Sequence, residues 1–112
     1  MPRDYKLYLS DMLEALERIQ EYTRNITYRD FARSNITIDA VVRNLEVIGE
    51  AARKLPPDIK SRSPEIEWPK IVALRNILTH EYFGVNTKIV WDIVQNKLGP
   101  IGEACGKLME SL

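Results

Sequence analysis

Apolar residues recur at three- and four-residue steps along nearly the whole chain, and no segment alternates apolar with polar. A period near 3.6 is that of a helix with one buried face, and strict alternation is that of a strand. The sequence therefore predicts an all-α chain with no β-sheet. Tyr5, Tyr8, Leu9, Met12, Leu13, Leu16, Ile19 and Thr23 form one stripe and predict a long helix over 4–24. A short helical turn follows over 27–33, with Thr27 as N-cap and Asp30 three positions on. Ile38, Val41, Leu45, Ile48, Ala52 and Leu55 mark a second long helix over 35–55, stopped by Pro56-Pro57. Residues 56–68 hold a short turn or helix and a loop at Pro64. Pro69 suits the first turn of a third helix through Tyr82, with Trp68 before it and Gly84 past its end. Asn86 caps a fourth helix through Leu98. Gly99-Pro100 should break it, leaving a last helix over 100–111 that carries Ile101, Leu108 and Met109. Short connections between sequential helices predict an antiparallel bundle of four to five main helices. Gly49, in the middle of the second long helix, costs about 1 kcal/mol against alanine there. Close approach of another helix, within the chain or across a dimer, is one reading of it; tolerated drift is the other.

At 112 residues the chain is expected to be a single domain, 1–112, able to bury its own core. With 45% hydrophobic and 29% charged residues it reads as soluble and folded. No apolar run approaches the ~20 residues of a membrane span, and the N-terminus, which opens straight into an amphipathic pattern with no signal-peptide h-region, is expected to carry no secretory signal. The single cysteine, Cys105, forms no internal disulfide, which fits a cytoplasmic setting. Charge is a sharper constraint. Sixteen basic and sixteen acidic residues cancel. Nucleic-acid affinity depends on neutralising several phosphates, so this chain must do so through a local patch or with a partner.

Several chemistries are excluded by inventory. Within one chain, one His and one Cys cannot supply the three or four N and S ligands of a zinc site. No glycine loop has the spacing that cradles a phosphate, and no serine has a nucleophile's context. A Cys105–His80 pair is conceivable, but Cys105 lies in an apolar pattern and reads as core. No cofactor is implied.

What remains is Arg75-Asn76-Ile77-Leu78-Thr79-His80-Glu81-Tyr82. Four side chains that can meet a phosphate or a hydroxyl fall within eight residues. On an ideal helix Arg75 and Tyr82 project within ~20° of each other, Asn76 and His80 share a face, and Arg75 and His80 lie ~140° apart. Convergence of Arg75 and His80 within one chain needs the arginine's reach or a distorted last turn; convergence between two chains does not. Ordinary roles are also open. His80 can serve the helix dipole, Arg75 can pair with Glu81 or Glu50, and Asn76 can sit in water.

The arginine, four residues, histidine, one residue, tyrosine pattern resembles the signature of HepT-like proteins of the HEPN superfamily. Arg43-Asn44-Leu45-Glu46-Val47-Ile48-Gly49-Glu50-Ala51-Ala52 is similar to that family's glycine-glutamate-alanine helix. Trp68, Tyr82-Phe83-Gly84-Val85 and Val90-Trp91-Asp92-Ile93 are similar as well, so the likeness covers nearly the whole chain. The resemblance implies a HEPN-type helical bundle that forms a homodimer, with the motifs meeting in an interface cleft. It implies a metal-independent endoribonuclease toxin, encoded beside a minimal nucleotidyltransferase antitoxin (MntA-like) in a type VII toxin–antitoxin pair. The antitoxin silences such toxins by moving AMP onto the motif tyrosine, here Tyr82.

Residue chemistry is compatible with those roles. Metal-free RNA cleavage turns the ribose 2′-OH on the adjacent phosphate. It needs an acid or base that titrates near neutrality, as histidine does. It also needs donors on the phosphate, which Arg75 and Asn76 offer. A two-fold dimer would bring two copies of His80 to one cleft. Arg75, Asn76 and His80 are thus the candidate catalytic residues, with Tyr82 the candidate modification site. The alternatives are a non-catalytic HEPN module that serves as partner and substrate of the nucleotidyltransferase, and a plain helical scaffold dimer.

Overall fold

In the computed structural model, which describes residues 4–80 and 86–112, with the side chains of 76–80 left outside that description, the first stripe becomes helix α1, Tyr5–Thr23. Asp4 caps it by accepting from the Lys6 amide at 2.9 Å. Leu9, Met12, Leu16, Ile19 and Thr23 are buried along its inner face, Tyr8 and Leu13 are half-buried, and Tyr5 is 37% exposed. Past its end Asn25 takes a left-handed φ of 59°, a conformation asparagine tolerates better than most residues, and the chain turns.

Helix α2, Tyr28–Arg33, begins at Thr27 as predicted. Thr27 Oγ1 accepts from the Asp30 amide, and the Asp30 carboxylate accepts from the Thr27 amide, so two amides without helical partners are satisfied reciprocally. Ser34 then caps helix α3, Asn35–Arg53. Val41, Leu45, Ile48 and Ala52 of its predicted stripe are buried. Leu55, also buried, falls beyond the helix, which stops two residues short of the predicted end, ahead of Pro56 and Pro57. Pro57 opens the four-residue helix α4, Pro57–Lys60.

Helix α5, Trp68–His80, has Pro69 in its first turn. Trp68 fixes where it starts. Its indole Nε1 donates to the carbonyls of Lys60, at 3.0 Å, and Ser63, at 3.1 Å, tying the helix to the end of α4 and the loop after it. The expected continuation through Tyr82 to Gly84 lies outside the described residues.

Helix α6, Thr87–Asp92, starts at Asn86, whose side chain accepts from the Lys88 and Ile89 amides. The predicted break at Gly99-Pro100 does not occur. A π-helical turn, Ile93–Lys97, carries α6 directly into helix α7, Leu98–Ser111. Proline lacks the amide and presses its ring on the carbonyl four residues back, here that of Asn96. That carbonyl lies inside the widened turn, which takes up the conflict without ending the helix.

α3 is the central element. It packs on α1 and on α5, and α7 closes over α1. Lys54, just past the end of α3, stands over the ring of Tyr8 near the start of α1, so these two helices run antiparallel. The core draws on α1, α3, α5, α6 and α7 and includes Cys105, fully buried as its apolar setting predicts. Phe31 and Tyr28 pack against Trp91 with tilted rings, and the Tyr28 hydroxyl hydrogen-bonds Thr87 at 2.8 Å, fastening α2 to the start of α6. Among the described residues none is in a strand, and no described helix is long and apolar enough to cross a membrane.

Candidate active site

The contact between α3 and α5 is set by one missing side chain. A Cβ placed on Gly49 would lie 3.0 Å from the Arg75 amide nitrogen, 3.1 Å from the Ile71 carbonyl oxygen and 3.4 Å from the Arg75 Cβ. The predicted close approach is therefore within the chain, and its target is the backbone turn that carries Arg75. Neighbouring Leu74 is buried and Ile71 is half-buried against the core, which fixes the rotation of α5 about its axis.

Arg75 leaves this contact at the surface, with a side chain about half exposed, and reaches Glu50 on α3, Nε to Oε2 at 3.1 Å. Of the two ion-pair partners open to it in the sequence, the structure shows Glu50; Glu81 lies outside the described residues. Glu50 Oε2 is shut off from solvent and completes no hydrogen bond among the described residues, so its tie to Arg75 is electrostatic. Glu50 Oε1 accepts from Arg53 Nη2 at 2.9 Å and lies 3.8 Å from Lys54 Nζ. The hydrogen bond from Arg53 is the largest influence on this carboxyl. Together with the fields of Arg53, Arg75 and Lys54 it outweighs partial burial and holds Glu50 below its ordinary 4.5.

His80 follows Arg75 by five residues on the same continuous helix, and Asn76 precedes His80 by four. The backbone up to His80 is regular α-helix, so the ~140° offset between positions 75 and 80 stands. The side chains of Asn76 and His80 are outside the described residues, as is the whole of Tyr82. The chain re-enters the description at Asn86, where Thr87 and Trp91 are fastened to α2. Both ends of the motif segment are thus tied down, by Gly49 and Glu50 before it and by Tyr28 and Phe31 after it.

Two features were absent from the sequence reading. One is Arg53 and Lys54 gathering with Arg75 on Glu50. Their spacing of three and four from Glu50 is a readable helix-pair signal, and Glu50 is one of the two partners expected for Arg75; what the pattern does not give is that all three cations meet on one carboxylate. The other is the Tyr28–Thr87 bond, across 59 positions, which no local pattern announces. Cys105 is buried in the core, and burial pushes its thiol up to about 12. Among the described residues no three His, Cys, Asp or Glu side chains cluster as metal ligands. A groove of about 630 Å³ between α5 and the π-helical turn is mainly apolar, and its described lining does not include Arg75.

The described residues form an all-α bundle, consistent with the HEPN type, in which Arg75 of α5 is held against Gly49 and Glu50 of α3. The model of the family "Ribonuclease HepT-like" matches residues 12–108. A Thermococcus cleftensis protein named a probable ribonuclease HepT is 43% identical over 98 residues, covering 88% of this chain and 89% of that protein. A Methanocaldococcus jannaschii protein named a putative RNase is 42% identical over 99 residues, 88% of this chain and 82% of that one. A second protein from that organism, named a gamma-glutamylcyclotransferase and putative RNase, is 38% identical over all 112 residues. The chain spans 50% of the length of that larger relative. No solved structure gives a significant match. The chain belongs to the HepT-like ribonuclease family.

Proposed function

We propose that this chain is the ribonuclease toxin of a type VII toxin–antitoxin pair, folded as one HEPN domain over 1–112 and active as a homodimer. The observation that carries the reading is Arg75, fixed by Gly49 and Glu50 at the surface of a helix that bears His80 five positions later, in a chain of ribonuclease family. In this proposal Arg75 and Asn76 hold the scissile phosphate and favour the charge that builds on its oxygens. His80 takes the proton of the ribose 2′-OH as that oxygen attacks phosphorus. The 5′-oxygen leaves with a proton from the second His80 of the dimer, and a 2′,3′-cyclic phosphate forms. The ~140° offset between Arg75 and His80 favours a site completed by the second copy. No metal ion has a part in these steps.

Control is proposed to fall on Tyr82. A cognate minimal nucleotidyltransferase would transfer AMP to its hydroxyl, putting bulk and negative charge where substrate phosphate binds. The test of the function is direct. Purified chain is incubated with single-stranded RNA in EDTA, and the RNA ends are mapped. Wild type should cut and leave cyclic phosphate ends; Arg75→Ala and His80→Ala should not. A folded dimer that cuts no RNA yet accepts AMP from the transferase would support the non-catalytic module instead.

A further inference from the structure

Around Glu50 the chain departs from its overall charge balance. Arg53 Nη2 is 2.9 Å from one carboxylate oxygen and Lys54 Nζ 3.8 Å, and Arg75 Nε is 3.1 Å from the other. Three cations gather on one anion, in a chain whose formal charge is zero. Arg53 and Lys54 are each about half exposed. Pairs at three and four residues along a helix explain two of these cations as ordinary surface partners. They do not explain the third, which comes from α5 and is the arginine of the motif. An RNA strand held at Arg75 continues as a polyanion on both sides of the bound phosphate. The exposed cations nearest that point are the ones it meets, and in a neutral protein such a local patch supplies the affinity.

We propose that Arg53 and Lys54 form a phosphate-binding extension of the Arg75 site, gripping the RNA backbone beside the reacting phosphate. Glu50 is the positioning residue that keeps the three cations together against their mutual repulsion. The proposal rests on the ribonuclease reading of the site. It adds substrate contacts from the end of α3, outside the motif itself.

The test uses the full chain carrying His80→Ala, so that RNA is bound and not cut. Affinity for a labelled single-stranded oligoribonucleotide is measured by fluorescence anisotropy over a range of KCl concentrations. Each lost phosphate contact lowers the salt slope by about 0.7 for single strands. Arg53→Gln with Lys54→Gln should therefore weaken binding and flatten the slope by about 1.4. Arg29→Gln with Arg33→Gln is the control. These exposed residues sit on α2, at the opposite end of α3, which at 19 residues is about 28 Å long. The control should leave the slope unchanged. If the double variant fails to fold by circular dichroism, Lys54→Gln alone should show about half the shift. An unchanged slope at Arg53 and Lys54, while Arg75→Gln abolishes binding, overturns this extension and leaves the ribonuclease reading standing. Equal losses in both doubles overturn it as well, because the attraction is then diffuse. A parent protein that binds no RNA overturns both.

Discussion

Gly49 and Arg75 meet backbone to backbone: a Cβ on Gly49 would stand 3.0 Å from the amide nitrogen of Arg75. The helix that carries the candidate chemistry is thus held at a distance set by the absence of a side chain on its neighbour. The atoms in the way, an amide nitrogen and the Ile71 carbonyl oxygen at 3.1 Å, are backbone and cannot rotate aside.

Gly49→Ala should therefore destabilise the fold. Overpacking costs typically 1–3 kcal/mol, against a gain of about 1 kcal/mol in helix propensity. Urea unfolding should show a lower midpoint with an unchanged m-value, and RNA cleavage should fall as α5 shifts. A higher midpoint would mean that the two helices are not in tight contact.

Glu50 gives a pH signature. Its folded-state value is held below 4.5, chiefly by the hydrogen bond from Arg53. A depressed carboxyl contributes stability above its unfolded value and loses it as pH falls through the folded value. The stability difference between wild type and Glu50→Gln should thus be present near pH 7 and shrink below pH ~4.5, the ordinary value of the group. Unfolding curves at a series of pH values read this out. A difference that stays constant down to pH 3 would show that the carboxylate makes no net use of its cations. Cleavage by Glu50→Gln should lose more in kcat than in KM, since it releases Arg75 without removing it.

Cys105 should be inert in the folded protein. With its thiol pushed up to about 12 and its side chain fully buried, almost no thiolate is present or reachable at neutral pH. A thiol reagent should label it only as fast as the chain unfolds. Rapid labelling of native protein would contradict the burial.

Much of the fold was legible before any coordinates. Caps at Thr27 and Asn86, the stripes of α1 and α3, Pro69 in the first turn of α5 and the meaning of Gly49 are local or periodic signals, and each held. Pro100 was misread because a proline inside a helix need not end it when a widened turn precedes the ring. The arginine–histidine helix was readable as a motif, and Glu50 was one of two partners that spacing left open for Arg75. What spacing could not convey was long-range. The Tyr28–Thr87 bond and the convergence of Arg53, Lys54 and Arg75 depend on how helices pack, and no one-dimensional pattern encodes that.

If Tyr82 takes AMP as proposed, Tyr82→Phe should keep cleaving RNA and escape silencing, because the ring stays and the acceptor hydroxyl goes. Mass spectrometry after co-expression with a cognate nucleotidyltransferase should find AMP on Tyr82 of wild type and none on the variant. An adduct on another residue, or none, would remove this control from the account.

Everything proposed for this site depends on Arg75 and His80 cutting RNA without a metal. The most direct measurement is single-turnover cleavage of a labelled RNA by purified wild type, Arg75→Ala and His80→Ala, each with EDTA and with added Mg²⁺. Wild type should cut equally in both conditions. Each variant, with a wild-type circular dichroism spectrum, should lose at least about 100-fold in rate, the low end of what one acid–base group, as for His80, or one charge-stabilising donor, as for Arg75, contributes. Cleavage that vanishes in EDTA and returns with the metal, or a His80→Ala protein that cuts at the wild-type rate, would contradict it.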